Sequence, residues 1–226
     1  MIVFVVGTDT NIGKTYATGL LAWGALHSRL KVITQKPVQT GSEIPEDLFL
    51  HRALMGLPQD PPDLLRLTNP YLFPYPAAPL TAAELKGETI SLLYLKECLQ
   101  TLEERYDLVF VEGAGGLLVP FTAEETFLDF ISLITAPVVV VSPARLGTIN
   151  HTLLTIEALR RRSLWVFGLV YNTYYLQDEF LAEKSLEEIK RFTGLDNILT
   201  MPPLKDTPPR DLLPEVQRFL RPILPL

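Results

Sequence analysis

Lys14, Thr15, Lys36, Asp47 and Glu112 are the residues whose types and positions could move a phosphoryl group. Lys14 and Thr15 follow Gly13 in a loop that begins at Gly7, after the apolar run Ile2 to Val6 and before an amphipathic stretch. Strand, glycine-bearing loop and helix together aim backbone N–H groups and a helix N-terminus at an anion. The lysine adds a charge for β- and γ-phosphates, and the threonine hydroxyl offers a ligand to Mg²⁺. The common spacing puts four residues between the two glycines. Here five, Thr8 to Ile12, separate Gly7 from Gly13. The plainer alternative is a chance Gly-Lys-Thr in a strand–turn–helix, and the motif's place in the chain argues against it.

The other candidates stand where strands or helices end. Lys36 lies near the end of the expected strand Lys31 to Val38, which Pro37 stops by removing an amide. Carboxyl ends of strands are where open parallel sheets bind ligands; taken alone, Lys36 reads as a surface lysine. Asp47 opens a helix from Asp47 to Met55, where an acid suits either the helix dipole or a bound Mg²⁺. Glu112 ends an apolar run begun at Asp107 and precedes Gly113-Ala114-Gly115-Gly116. A glutamate stranded at a buried strand end is costly without a partner, and the glycines let backbone approach a ligand. Gly147-Thr148 opens a helix reaching Arg161, a second mouth able to face an anion. Asn172 ends the strand Ser163 to Tyr171, where an amide can read a purine edge or make an Asx turn. Asp129 is open between a cap, an exposed acid and a group near the site. His151 reads as packing or capping, and His27 and His51 as exposed.

The positioning elements follow from periodicity. Helices are expected at Tyr16–Leu30, Ser91–Tyr106, Glu124–Leu133, Glu179–Phe192 and Pro209–Phe219, and further strands at Pro137–Ser142 and Asn197–Met201. The segment 57–81 is proline-rich and reads as a long loop, with its aromatics mostly pinning it to the core. Alternation of strands and helices makes this an α/β chain. The expected fold is one domain over residues 1–226, built on a mostly parallel doubly wound sheet flanked by helices. At 226 residues and 47 % hydrophobic content a sizeable core is available. A net charge of −6 with no basic stripe excludes a typical nucleic-acid binder, and Arg160-Arg161-Arg162 suits a solvated helix end. The single cysteine, Cys98, excludes an internal disulfide and a zinc cluster and reads as an ordinary buried thiol. No stretch approaches the ~20 apolar residues of a membrane span, and the N-terminal run is too short for a signal peptide, so a cytoplasmic location is expected.

Four blocks then carry a resemblance. Gly7-Thr8-Asp9-Thr10-Asn11-Ile12-Gly13-Lys14-Thr15, Lys36-Pro37-Val38-Gln39-Thr40-Gly41, Val111-Glu112-Gly113-Ala114-Gly115-Gly116 and Leu146-Gly147-Thr148-Ile149-Asn150-His151 resemble the dethiobiotin synthetase family in order and spacing. The likeness runs from residue 1 to about Pro203, and the five-residue gap matches that family's own loop. It implies a P-loop NTPase fold and an ATP- and Mg²⁺-dependent ligase of biotin biosynthesis. The reaction implied is ring closure of 7,8-diaminopelargonic acid with CO₂ through a carbamate and a carbamic–phosphoric anhydride. It implies Lys14, Lys36 and Thr10 as catalytic groups, and Thr15, Asp47 and Glu112 around Mg²⁺. ATP would meet Asn11, Ile12, Gly13, Lys14, Thr15, Tyr16, Glu112 and Gly113, with adenine at Asn172, Pro202, Pro203 and Leu204. Substrate would meet Thr10, Lys36, Thr40 and, from the neighbouring subunit of a homodimer, Gly147, Thr148, Ile149 and Asn150.

Two positions depart from the family pattern: Asn11, where an acid is frequent, and Pro79-Leu80, where Pro-His is common. A partitioning ATPase of the related class would carry a lysine early in the loop, where this chain has Thr8 and Asp9. A glutamine-dependent amidoligase would need a further domain with a nucleophilic thiol.

Overall fold

The structure, a computed structural model, describes residues 1–59, 63, 66–205 and 207–224. Asp60, Pro61, Pro62, Leu64 and Leu65, within the expected 57–81 loop, lie outside the described residues.

The first element, β1 (Ile2–Gly7), is buried along its whole length. Period-2 alternation splits it between two cores: Phe4 and Val6 join the cluster on one face of the sheet, Val3 and Val5 the cluster on the other. A strand buried on both faces must read as continuously apolar, as β1 does. Helix α1 (Lys14–Leu26) follows the loop, then β2 (Val32–Gln35), β3 (Val38–Thr40) and α2 (Glu46–Met55). Next come β4 (Tyr71–Phe73), α3 (Pro79–Lys86), α4 (Leu92–Glu103) and β5 (Leu108–Gly116). The chain then alternates α5 (Phe127–Ile134), β6 (Val138–Pro143), α6 (Thr148–Arg161), β7 (Val166–Asn172), α7 (Glu179–Thr193), β8 (Ile198–Met201) and α8 (Leu213–Leu220).

Six of these strands form one parallel sheet in the order β2-β5-β1-β6-β7-β8. Helices α1 and α8 contribute to the core on one face and α4, α5, α6 and α7 to that on the other. Because β1 lies between β5 and β6, the groove for a ligand falls outside the carboxyl ends of these central strands. The α/β, doubly wound expectation holds in this sheet.

The expected strand Lys31 to Val38 is two strands. The Lys36 amide leaves the main sheet and donates to Thr68 O at 2.7 Å, and Pro37, with no N–H to give, accepts from Tyr71 N through its carbonyl. The continuation, β3, pairs with β4 in a separate two-stranded parallel sheet. The 57–81 stretch is therefore not all irregular: it contributes β4 and the start of α3. Pro79 suits that start because its fixed φ fits the first turn and the N–H it lacks would be unpaired there.

Helix α1 has two flat places. A methyl on Gly19 would lie 2.5 Å from Leu54 Cδ1 of α2, and one on Gly24 would lie 2.3 Å from Val216 Cγ1 of α8. Neither contact is tolerable, so the absent side chains set how closely α2 and α8 approach α1. Among the described residues no helix is long and apolar enough to cross a membrane.

Candidate active site

The loop between β1 and α1 is shaped by backbone conformations that most residues avoid. Gly13, the N-cap of α1, has φ +91°, and a methyl there would meet Asn172 Nδ2 at 2.3 Å. Lys14 folds back along Gly7, where an added Cβ would lie 2.7 Å from Lys14 Cδ. Its Nζ donates to Asp9 O at 2.8 Å. The residue is only 6 % exposed.

Around Lys14 the first turns of α1 and α2, the exit of β2 and the middle of β5 deliver four more groups. Glu112, 1 % exposed, lies mid-way along β5, which does not end at the glutamate as expected but runs on through the glycines to Gly116, and it divides its carboxylate. Oε1 accepts from Thr15 Oγ1 at 3.0 Å and from Lys36 Nζ at 2.7 Å; Oε2 contacts His51 Nε2 at 2.7 Å. Lys36 Nζ also reaches Asp47 Oδ2 at 2.8 Å and donates to Gly113 O at 3.1 Å. Thr15 Oγ1 lies 3.3 Å from Asp47 Oδ1. Four of the five residues singled out by chemical type are thus bonded to one another, Gly113 joins them through its carbonyl, and Lys14 lies near enough to feel the charges of Lys36, Glu112 and Asp47.

Burial works against every charge here. For Lys14 burial prevails and Lys36 repels as well, so despite Glu112, Asp47 and Asp9 its ammonium falls to about 8. Burial of Lys36 is outweighed by Glu112 and Asp47, which push it up to about 12. Burial would raise Glu112, but Lys36 and His51 hold it well below the usual carboxylate range. Two cations close enough to repel, at a helix N-terminus, make a site whose electrostatics favour a polyanion.

Farther along the sheet a cavity of about 280 Å³ opens beside the same loop. Asn11, Gly13, Tyr16, Asn172, Tyr174, Tyr175, Met201, Pro202 and Leu204 line it. Asn172 is buried. Its Nδ2 donates to Ile12 O at 2.8 Å and its Oδ1 accepts from Tyr174 N at 3.0 Å, so the Asx-turn alternative is realised. Tyr175 donates from its hydroxyl to Asn11 O. Arg145 lies over the Tyr175 ring, 5.7 Å from its centroid, and pairs with Asp9 at 2.9 Å.

The family model described as "AAA domain" matches residues 2–210. The ATP-dependent dethiobiotin synthetase of Haemophilus influenzae is 42 % identical over 81 % of this chain and 96 % of its own. That of Chlorobaculum tepidum is 45 % identical over 82 % and 78 %. The chain belongs to the dethiobiotin synthetase family. Among solved structures, a plasmid partition protein of Borrelia burgdorferi superposes with a TM-score of 0.58 at 17 % identity, covering 97 % of this chain and 96 % of that one. This likeness speaks to the fold, the P-loop NTPase architecture expected from the loop.

Seen as a member of that family, the chain places its remaining predicted residues unevenly. Thr10 is exposed, and its Oγ1 would be 3.5 Å from a methyl on Gly115, beside the glycine run after Glu112. Thr40 ends β3 opposite Phe73. Gly147 is the N-cap of α6, Asn150 is exposed and Ile149 half-buried. Thr148 is buried, its N–H donates to Arg145 O at 3.1 Å, and its hydroxyl sits 2.7 Å from Ser142 Oγ. Through that hydroxyl contact it fastens α6 to β6. Pro203 is exposed and does not line the cavity.

His51 is a correction. Expected on the surface, it is fully buried and spans Thr34 Oγ1 at 2.9 Å and Glu112. His27 is exposed as expected. Reading the sequence also missed Tyr174 and Tyr175, although an aromatic pair directly after a strand-end asparagine was a usable signal. Asp129 resolves as a capping-box residue of α5, accepting from Thr126 N at 2.8 Å and pairing with Arg162 at 3.0 Å. Cys98 is buried.

Proposed function

We propose that this protein closes the ureido ring of dethiobiotin from 7,8-diaminopelargonic acid, CO₂ and ATP. The observation that carries the reading is the convergence of Lys14, Lys36, Thr15, Asp47 and Glu112 at one mouth of the sheet in a member of this family. One substrate amine takes up CO₂ and loses a proton, giving a carbamate. A carbamate oxygen attacks the γ-phosphorus, the bond to the bridging oxygen breaks, and ADP leaves. The second amine then attacks the carbamate carbon and expels phosphate.

Each step needs positioning and charge neutralisation more than covalent help. Lys14 holds the β- and γ-phosphates. Lys36, the more strongly held ammonium, faces the γ-phosphate and the carbamate. Thr10 and Thr40 contact the amines or the carbamate. Asn11, Ile12, Gly13, Tyr16 and Gly113 border the nucleotide, and the cavity of Tyr16, Asn172, Tyr174, Tyr175, Pro202 and Leu204 takes adenine by stacking. In a homodimer, the α6 start of the neighbouring copy, at Gly147, Ile149 and Asn150, receives the substrate carboxylate.

The donor set fits Mg²⁺. One hydroxyl and two carboxylates are hard oxygen ligands, and among the described residues no cluster of three or more His, Cys, Asp or Glu forms a cage. Mg²⁺ commonly takes one or two carboxylates and completes its shell with phosphates and water. Thr15, Asp47 and Glu112 would hold it. When bound, it neutralises charge that builds on the phosphate oxygens. A cytoplasmic location and a single domain accord with this reading.

The test is dethiobiotin formation by the purified protein. ATP turnover is expected to require diaminopelargonate and bicarbonate together. ATP hydrolysis indifferent to both would sink the proposal.

A further inference from the structure

Glu112 would be free to rotate its carboxylate about a broad terminal torsion if only one of its oxygens were bonded. His51 prevents this from the side opposite Lys36. The structure assigns His51 as a positioning residue: it holds Glu112 Oε2 so that Oε1 faces Thr15 and Lys36. This rests on the reading of Glu112 as a Mg²⁺ ligand, and it goes beyond that reading by naming what orients the ligand.

The polarity of the relay follows from which groups can only donate. Arg52 has protons and no acceptor. It gives one from Nη1 to Thr34 Oγ1 at 2.6 Å. The Thr34 hydroxyl proton is then left for His51 Nδ1, 2.9 Å away. With Nδ1 accepting, the ring proton belongs on Nε2, which donates to Glu112 Oε2 at 2.7 Å. Arg52 is itself locked by Asp63, Nη2 to Oδ1 at 2.6 Å and Nε to Oδ2 at 3.0 Å, and Asp63 accepts from Thr68 as well. Arg52, Thr34, His51 and Glu112 are all nearly or fully buried. Water therefore gives little competition, and each bond has a fixed direction.

Helix geometry explains why one element can do this. Asp47 and His51 are i and i+4 on α2, so one face of the helix delivers a carboxylate to Thr15 and Lys36 and an imidazole to Glu112. The bonding of a ligand's far side by a fixed donor is the arrangement that tunes metal sites.

The experiment compares His51→Gln with His51→Asn in the full-length protein. A glutamine Nε2 extends to about the place of the imidazole Nε2 and can still donate to Glu112. An asparagine amide reaches only as far as Nδ1. Calorimetric binding of adenylyl-imidodiphosphate is measured with Mg²⁺ and with the metal chelated, alongside turnover against Mg²⁺ concentration. His51→Asn is expected to weaken Mg²⁺-linked binding by roughly 10-fold or more, and His51→Gln to stay within about threefold of the parent. Metal-free nucleotide binding is expected to be unchanged in both.

Parent-like Mg²⁺ linkage in His51→Asn, or an equal loss in His51→Gln, overturns the assignment. If His51→Asn does not fold, Thr34→Val keeps the imidazole but removes the proton given to Nδ1. It is expected to weaken Mg²⁺-linked binding, and an unchanged value overturns the relay. A parent protein that makes no dethiobiotin would defeat the proposed reaction, while the calorimetry would still decide the role of His51.

Discussion

On the β2–β5 side of the groove, Lys14, Lys36 and Glu112 are 6 %, 5 % and 1 % exposed and bonded to one another or to the loop. On the β7–β8 side, Tyr174 is 65 % exposed and the lining of the cavity is aromatic and aliphatic, with polar groups mostly turned inward to tie the loop down. The first region is stiff because its charges hold one another. The second can adjust its rings. The division matches what phosphoryl transfer asks of each end of a nucleotide: fixed dipoles where charge moves, and mere affinity where it does not. Substitutions on the charged side should therefore lower kcat, and those on the aromatic side should raise KM.

The largest expected effect is from Lys36→Ala, a fall in kcat of about 10²–10³ with little change in KM for ATP, as for loss of one preorganised donor. Steady-state kinetics check it, and a change confined to KM would break the contrast between the two regions. Glu112→Gln keeps the shape and removes the charge. The Mg²⁺ concentration for half-maximal rate is expected to rise roughly 10-fold or more, read from a metal titration.

Lys14 sharpens the comparison through pH. Its ammonium, lowered to about 8 by burial and by Lys36, is partly neutral above that pH, whereas bound phosphates favour the charged form. ATP binding should therefore take up a proton near pH 8. Affinity should fall by about tenfold between pH 7 and pH 9, seen by calorimetry in buffers of different ionisation enthalpy. The smallest change is expected on the aromatic side. Tyr175→Leu should raise KM for ATP by roughly fivefold, the equivalent of about 1 kcal/mol of stacking, with kcat unaltered.

The charged region was the more legible of the two. A loop with Gly13-Lys14-Thr15, a strand stopped by Pro37 after Lys36, and a glutamate before a glycine run are local signals. Each is enforced by backbone chemistry within a few residues. The structure placed their side chains within bonding distance of one another. His51 was illegible because its partners, Thr34 and Glu112, are 17 and 61 residues away in the chain. Yet it shares a face of α2 with the buried Leu48, Leu54 and Met55, and a polar residue in an apolar stripe points to a buried partner. The splitting of Lys31–Val38 between two sheets was hidden for a like reason. Pro37 announced that pairing would stop, and only the distant Thr68 and Tyr71 say where the chain pairs next. The tyrosines of the second region gave no periodic signal, since they follow a strand in a short turn.

The seam between α1 and α2 has a further meaning. Thr15 and Gly19 are one turn apart on α1, as Asp47 and Leu54 are two turns apart on α2, so the bare flank of Gly19 against Leu54 lies on the same line as the Thr15–Asp47 contact. The gap between the oxygen atoms is thus gauged by a hydrogen atom at position 19, one helical turn beyond Thr15. A single added methyl there would work as a wedge between the two rods, and the first thing it would spread is the contact between Thr15 and Asp47.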